Sequence, residues 1–132
     1  MRILALDYGS ARIGCALCDP TGTLVRPVET IEPPDPASVA TLVDAEEVER
    51  VVVGLPVNMD GSEGDQARQS REFGRELEAR LSIPVETYDE RLTTRMAQAS
   101  RRAGAGAAED SLAAAHLLEG YLAANGAEGS GA

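Results

Sequence analysis

The sequence predicts an α/β fold in which a mixed β-sheet carries helices on both faces. Apolar runs separated by turn residues open the chain, and this pattern is typical of an antiparallel three-strand meander. Later strand-like runs alternate with segments of helical periodicity, which is typical of parallel strands joined by crossovers. The 132 residues, 43% of them apolar, suffice for one packed domain.

The predicted elements follow the chain in a simple order. Strands are predicted over residues 2–8, 12–18, 22–30, 50–54 and 85–88. Helices are predicted over residues 37–48, 65–81, 92–103 and 109–124. The continuous β-branched run Val51–Val53 fits a strand that is covered on both faces. We therefore expect one domain over residues 1–124 and a flexible tail over residues 125–132.

Composition narrows the class of protein. No apolar run approaches the roughly 18 residues of a membrane span. The apolar stretch at the start of the chain is too short for a signal peptide. These features predict a cytoplasmic protein without a membrane partner. The net charge is −10 and all 12 basic residues are Arg. Such acidity disfavours nucleic-acid binding unless arginines are clustered locally.

The cysteine pair Cys15-Ala16-Leu17-Cys18 has the spacing of a redox motif or of half a zinc site. It lies in a strand-like stretch, where residues i and i+3 point to opposite faces. The chain has no other cysteine, and His116 is its one histidine. We therefore interpret both cysteines as packed side chains, and His116 as a surface or packing residue.

Acidic residues stand at the ends of several predicted elements. Asp7 ends the first strand, on the face it shares with Ile3 and Ala5. Asp89 and Glu90 end the last strand. The predicted final helix opens with Asp110, on the same helix face as an apolar stripe of Ala114, Leu117, Leu118 and Tyr121.

These acids support two interpretations. Singly, Asp7 could cap a turn, Asp110 could be an N-cap, and Asp89-Glu90-Arg91 could be a solvated ion-pair cluster. Together, strand ends and a helix start can converge at one edge of a sheet. A divalent cation would then offset the repulsion between the carboxylates, and oxygen-only ligands suit Mg²⁺ or Mn²⁺.

Four segments, in the right order, resemble the motif blocks of the YqgF/RuvX family of Holliday-junction resolvases and pre-16S ribosomal RNA nucleases. They are Asp7-Tyr8-Gly9-Ser10-Ala11-Arg12-Ile13-Gly14, Val53-Gly54-Leu55-Pro56-Val57-Asn58-Met59-Asp60-Gly61-Ser62, Asp89-Glu90-Arg91-Leu92-Thr93-Thr94 and Asp110-Ser111-Leu112-Ala113-Ala114-Ala115.

The resemblance implies a ribonuclease-H-like fold and metal-dependent phosphodiester cleavage. It carries over Asp7, Glu90 and Asp110 as the catalytic and metal-binding acids, with Asp89 as a fourth candidate ligand. The implied substrate is precursor ribosomal RNA, and cleavage of DNA junctions is the weaker implication. The mechanism hypothesis is two-metal hydrolysis, in which Asp7 bridges both ions.

Further residues are candidates for substrate contact. Arg12 and Arg91 are suited to bind phosphate, although Arg91 could instead pair with Asp89 or Glu90. Asn58 and Ser62 could contact substrate or simply form a turn in the loop over residues 55–64, which we expect near the site. A second set lies at helical spacing and could pair along its helix, for example Arg68 with Glu72: Arg68, Arg71 and Arg75.

Two rival functions fit parts of the sequence. Asp7-x-Gly9 followed by Gly14 resembles the first phosphate loop of the actin, hexokinase and Hsp70 ATPases, but those proteins need a second lobe. The chain could also be a ribosome-assembly or regulatory module that does not cut. Expected partners are nucleic acid and a ribosomal particle, and the chain could act as a monomer or a homodimer.

Overall fold

The structure, a computed structural model, describes the backbone of residues 1–90 and 107–131, and the side chains of residues 1–90 and 111–125. Its strands are β1 (Ile3–Tyr8), β2 (Ile13–Cys18), β3 (Val25–Ile31), β4 (Arg50–Leu55) and β5 (Val85–Asp89). Its helices are α1 (Pro36–Ala45), α2 (Asp65–Arg80) and α3 (Ala107–Gly131).

The strands form one sheet in the order β3-β2-β1-β4-β5. β1, β2 and β3 pair antiparallel, whereas β1, β4 and β5 pair parallel. The carboxyl ends of β1, β4 and β5 therefore meet at one edge of the sheet. This arrangement confirms the predicted mixed sheet, a meander extended by parallel strands.

Two apolar clusters hold the helices to opposite faces of the sheet. One cluster joins α1 and α2 to alternate residues of the strands, including Leu4, Leu6 and Val53. The other joins α3 to the residues between them, including Ala5 and Val52. Because side chains alternate along a strand, each strand residue can be assigned to the α2 face or the α3 face.

Several observed ends differ from the predicted ones for local reasons. β3 begins at Val25 rather than residue 22, because the Asp19 carboxylate accepts hydrogen bonds from the amides of Thr23 and Leu24. α1 ends at Ala45 rather than residue 48, and Glu47 has a left-handed backbone with φ 53°. The predicted helix over residues 92–103 lies outside the described residues.

The last helix is longer than predicted. α3 runs to Gly131, so it includes most of the segment that was predicted as a tail. Alanines and Glu128 favour helix in that segment, and its glycines do not end it. Within residues 1–90 and 107–131, no helix has the length and apolar character of a membrane span.

Candidate functional site

Asp7 lies near the carboxyl end of the central strand. Ile3 and Ala5, whose face Asp7 was predicted to share, pack in the α3 cluster, so alternation along β1 places Asp7 on the α3 face. Its antiparallel partner in β2 is Gly14. On the other side, Leu6 pairs with Val53, and the next residues of the two strands are Asp7 and Gly54. Glycine thus flanks Asp7 on both neighbouring strands.

Glu90 reaches the same face from the end of β5. An ideal Cβ built at Gly54 would stand 2.9 Å from both Cγ and Oε1 of Glu90, so the carboxyl group lies over the bare backbone of β4. The same position is 2.9 Å from Cδ2 of Leu117, a fully buried residue of α3. The Glu90 carboxyl group therefore lies between the sheet and α3, beside the strand that carries Asp7.

Asp89 lies on the opposite side of β5. Val85 and Thr87 line a cavity of about 240 Å³ beside α2, together with Gly74 and Arg75. Strand alternation places Asp89 with Val85 and Thr87, on the α2 face. The two adjacent acids at the end of β5 are thus directed to different faces, and this geometry favours Glu90 over Asp89 as a partner of Asp7.

Asp110 belongs to the first turns of α3, and its side chain lies outside those described. The predicted apolar stripe that follows it is buried against the sheet: Ala114, Leu117, Leu118 and Tyr121. The next residue, Ser111, is also buried, and its hydroxyl donates a 2.7 Å hydrogen bond to the carbonyl of Val28 in β3. The start of α3 is therefore fixed on the sheet.

The position of Ser111 brings the start of α3 toward Asp7. Val28 pairs with Cys15, which follows Gly14, the partner of Asp7. Neighbouring strands are about 4.8 Å apart, so Val28 and Asp7 lie roughly two strand spacings from each other. The backbone of Asp110 is thus held over the face that carries Asp7 and Glu90.

The candidate donors among these residues are carboxylate oxygens. Among the described side chains, no three His, Cys, Asp or Glu residues are grouped closely enough to hold a metal ion. The Asp110 side chain lies outside those described, so this statement covers Asp7 and Glu90 but not the third candidate. Oxygen donors of this kind fit hard divalent cations such as Mg²⁺ or Mn²⁺.

The predicted substrate contacts have structural partners. Nε of Arg12 lies 3.3 Å from a Glu32 oxygen, and both side chains are partly exposed. The Asn58 side-chain amide donates to the Ser62 hydroxyl at 3.0 Å, and that hydroxyl donates to Asp60 at 2.6 Å. These bonds show that Asn58 and Ser62 form a turn. Arg91 lies outside the described residues.

The loop over residues 56–64 is anchored beside the site end of the sheet. Gln66 at the start of α2 donates a 2.7 Å hydrogen bond to the carbonyl of Tyr8. The Glu63 carboxylate accepts from Arg71 at 2.5 and 3.2 Å, and this hydrogen bonding lowers the pKa of Glu63. Because the loop follows β4, these contacts hold it next to the ends of β1 and β4.

The cysteine pair is not a metal or redox centre in this arrangement. Cys15 packs in the α2 cluster and Cys18 in the α3 cluster, so the two thiols lie on opposite faces. Burial raises the pKa of Cys15 to about 12 and also raises the pKa of Cys18. Both side chains are therefore neutral thiols at pH 7, in agreement with the packing interpretation.

Three structural roles were missed in the sequence. Gly54 follows directly on three β-branched residues within a predicted strand, and a glycine at such a position was a detectable sign of close packing. Ser111 is a polar residue beside an otherwise apolar helix stripe. Tyr121 was assigned to that stripe, but its hydroxyl also bonds with Arg50 and Glu86, at 2.9 and 3.0 Å. Nothing local in the sequence identifies those last partners.

The comparison with solved structures supports the fold. The structure titled "T. thermophilus RuvC in complex with Holliday junction substrate" superposes with a TM-score of 0.62 at 14% identity. The match covers 95% of this chain and 96% of that one. It shows a shared fold, the ribonuclease-H-like architecture of RuvC, in line with the expectation from the motifs.

Sequence comparisons identify the family. A protein of Anaeromyxobacter dehalogenans (strain 2CP-1 / ATCC BAA-258), named "Putative pre-16S rRNA nuclease", is 45% identical over 92% of this chain and 96% of its own length. A protein of the same name from Listeria monocytogenes serovar 1/2a is 40% identical over 92% of this chain and 97% of its own length. A family model described as "RuvX: Holliday junction resolvase" matches residues 1–124. The chain therefore belongs to the RuvX family.

Proposed function

We propose that this protein is a divalent-metal-dependent nuclease that hydrolyses phosphodiester bonds in structured nucleic acid. The observation that carries the proposal is the position of the Glu90 side chain over Gly54, on the face of the sheet that also carries Asp7. Helix α3 begins over the same face and adds Asp110 in its first turns. The names of the relatives favour precursor 16S ribosomal RNA as the first substrate, with branched DNA as the second.

The residues that would hold the metal are Asp7, Glu90 and Asp110. Bound Mg²⁺ or Mn²⁺ would supply Lewis-acid stabilisation of the charge that develops on phosphate oxygens. The gap above Gly54 fits this role, because it lets a carboxylate approach the sheet where a β-carbon would otherwise stand. Asp89 was the fourth candidate ligand. Because strand alternation directs it to the α2 face, we leave it out of the proposed metal-binding set.

The chain's own residues would orient the substrate. The Arg12–Glu32 pair is partly exposed and therefore weak, so a substrate phosphate can displace Glu32 from the guanidinium. Asn58 and Ser62 would act by holding the turn at the site end of β4, where its backbone can meet the nucleic acid. We assign Arg91, which follows Glu90 directly, to the same phosphate-binding group.

The test is a cleavage panel with Mg²⁺ and Mn²⁺ over precursor ribosomal RNA, single-stranded RNA and four-way DNA. We expect Asp7→Asn, Glu90→Gln and Asp110→Asn each to slow cleavage by roughly 100-fold or more. Asp89→Asn is the matched control, since it removes an adjacent charge on the other face, and its rate should stay within a few-fold of wild type. Equal rates for Asp7→Asn and wild type would refute the assignment.

A second candidate function is a ribosome-assembly or regulatory module that does not cut. The net charge of −10 favours it, because nucleic-acid binding relies on positive charge. Calorimetric titration with Mn²⁺ separates the two candidates. Binding by wild type that is lost in Asp7→Asn supports the nuclease, whereas no binding by wild type supports the module.

The cellular context is part of the same proposal. Maturation of ribosomal RNA would place the protein in the cytoplasm, with a ribosomal particle as the partner that presents the substrate. Co-sedimentation of the protein with precursor small subunits, at low and at physiological salt, tests this association directly. Sedimentation of all the protein away from those particles at both salt concentrations would argue against the ribosomal partner.

A further inference from the structure

Gly54 occupies a position where two parts of the molecule meet. Its α-carbon faces α3, and a β-carbon there would come within 2.9 Å of Glu90 and of Leu117. Contacts this short are absent between real β-carbons and their neighbours, so a side chain at residue 54 requires something to move. The missing side chain is therefore a structural requirement at the point where Glu90 lies.

We propose that Gly54 is a positioning residue for the carboxylate of Glu90, and that its lack of a side chain sets how closely that carboxylate approaches Asp7. The inference rests on the proposed metal-dependent nuclease function. It adds a residue that touches neither metal nor substrate and that acts through Glu90.

The backbone of β4 cannot yield to a larger residue. Gly54 pairs with Tyr88 of β5, and the residues on either side of it, Val53 and Leu55, are also paired or buried. The strand lies between β1 and β5 in the interior of the sheet. An added methyl group would therefore displace the side chains above it rather than the strand itself.

Glu90 is the neighbour most affected by that displacement. The Glu90 atoms close to a β-carbon at residue 54 include Cγ, so rotation of the carboxyl group alone does not relieve the contact. Leu117 is fully buried within α3 and has little room to retreat. We expect the Glu90 carboxylate to move away from the sheet, and with it one oxygen donor of the proposed metal set.

The experiment compares Gly54→Ala with Gly74→Ala in calorimetric titrations with Mn²⁺. Gly74 is a buried glycine of α2, and a β-carbon there would make only ordinary contacts of 3.9 and 4.0 Å with Val53 and Thr87. We expect Gly54→Ala to bind Mn²⁺ at least about tenfold more weakly than wild type, and Gly74→Ala to bind it equally well. Circular dichroism and thermal unfolding establish that each variant is folded.

A double variant separates the two neighbours of residue 54. Gly54→Ala with Leu117→Ala relieves the contact with α3 but leaves the contact with Glu90. Its reference is Leu117→Ala alone, because truncation of a buried leucine opens a cavity and lowers stability by itself. We expect its Mn²⁺ affinity to remain weak compared with Leu117→Ala alone. Recovery to the affinity of Leu117→Ala would overturn the inference, because Gly54 would then act through helix packing.

The outcomes distinguish this inference from the proposed function. Wild type that does not bind Mn²⁺ overturns both. Wild type that binds Mn²⁺, together with Gly54→Ala that binds it equally well, overturns the role of Gly54 and leaves the nuclease proposal intact.

Discussion

The two adjacent acids at the end of β5 have different surroundings. Glu90 lies against Gly54 and Leu117 on the α3 face, whereas alternation places Asp89 on the α2 face. Sequence motifs present the two residues side by side and do not separate their roles. The alternation of a β-strand separates them, since neighbouring residues of a strand point to opposite faces.

The two cysteines lead to a prediction about reactivity. Burial raises the pKa values of both thiols, that of Cys15 to about 12, and the thiolate is the reactive form. We expect neither residue to react with iodoacetamide at pH 8 in the native protein, and both to react in denaturant. Mass spectrometry measures the labelling. Rapid native labelling of both cysteines would contradict the observed packing.

Asp19 predicts a pH dependence of stability. Hydrogen bonds from the Thr21 hydroxyl and from the amides of Thr23 and Leu24 lower the pKa of Asp19 from 3.8 to about 2. A carboxyl whose pKa is lowered by folding stabilises the native state above its unfolded pKa, and this contribution is lost as the pH falls toward the folded pKa. It is therefore complete above about pH 4 and disappears toward pH 2.

The corresponding variant is Asp19→Asn, which keeps the side-chain shape and removes the charge. We expect its melting temperature to lie below that of wild type at pH 7, and the difference to shrink between pH 4 and pH 2. Thermal unfolding in steps across this range measures the difference directly. A difference that stays constant down to pH 2 would show that the Asp19 charge does not stabilise the turn.

Among the elements, apolar periodicity predicted the existence and order of the described strands and helices. It also assigned Asp7 to the face of β1 that carries Ile3 and Ala5, and the structure packs that face against α3. The predicted ends of elements were less accurate where side chains form hydrogen bonds with the backbone, as Asp19 does before β3. Such bonds depend on turn geometry, which periodicity does not encode.

Contacts between elements that are distant in the chain could not be predicted from the sequence. The seat of Glu90 over Gly54 depends on the register between β4 and β5, and the Ser111–Val28 bond depends on where α3 crosses β3. Neither register nor crossing point follows from the spacing of residues in one chain. The motif resemblance named the acids of the proposed site, whereas the surfaces that hold them are visible only in the structure.

The attachment of α3 gives a prediction about stability. The Tyr121 hydroxyl accepts from Arg50 at 2.9 Å and donates to Glu86 at 3.0 Å. We expect Tyr121→Phe to lower the free energy of unfolding by about 1 kcal/mol, since both bonds are partly exposed. Chemical denaturation measures this change in the free energy of unfolding. Tyr88→Phe, which removes one longer bond of 3.3 Å to Gly120, is the control and should have a smaller effect.

At the scale of the whole molecule, charge must be reconciled with a nucleic-acid substrate. Two arginines of α2 pair with acids, and Arg68 does so with a partner other than the predicted Glu72: Arg68 pairs with Asp65 and Arg71 with Glu63. These pairs neutralise local positive charge. Because the net charge is −10 and these two arginines are engaged, we expect weak affinity for nucleic acid that depends strongly on salt concentration.

Salt dependence tests which arginine contacts phosphate. We expect Arg12→Gln to reduce the slope of log affinity against log salt concentration by about one, measured by fluorescence anisotropy with an RNA oligonucleotide. Arg2→Gln is the matched control, because Arg2 is similarly exposed and pairs with Glu46 at 3.3 Å near the opposite end of β1. Identical slopes for Arg12→Gln and wild type would exclude Arg12 from the interface.

The two attachments of α3 have a mechanical consequence. Ser111 and Tyr121 are ten residues apart, which is roughly 15 Å along a helix at ~1.5 Å per residue. These two hydrogen-bonded contacts, with Leu117 and Leu118 packed between them, resist a tilt of α3 and hold the backbone of Asp110 in place. Without the Ser111 bond, the first turns of α3 would rely on the apolar contacts that begin at Ala114. A tilt of α3 by about 4° over the roughly 15 Å that separate this end from Tyr121 would then move the backbone of Asp110 by about 1 Å, a shift large enough to slow a reaction about 100-fold.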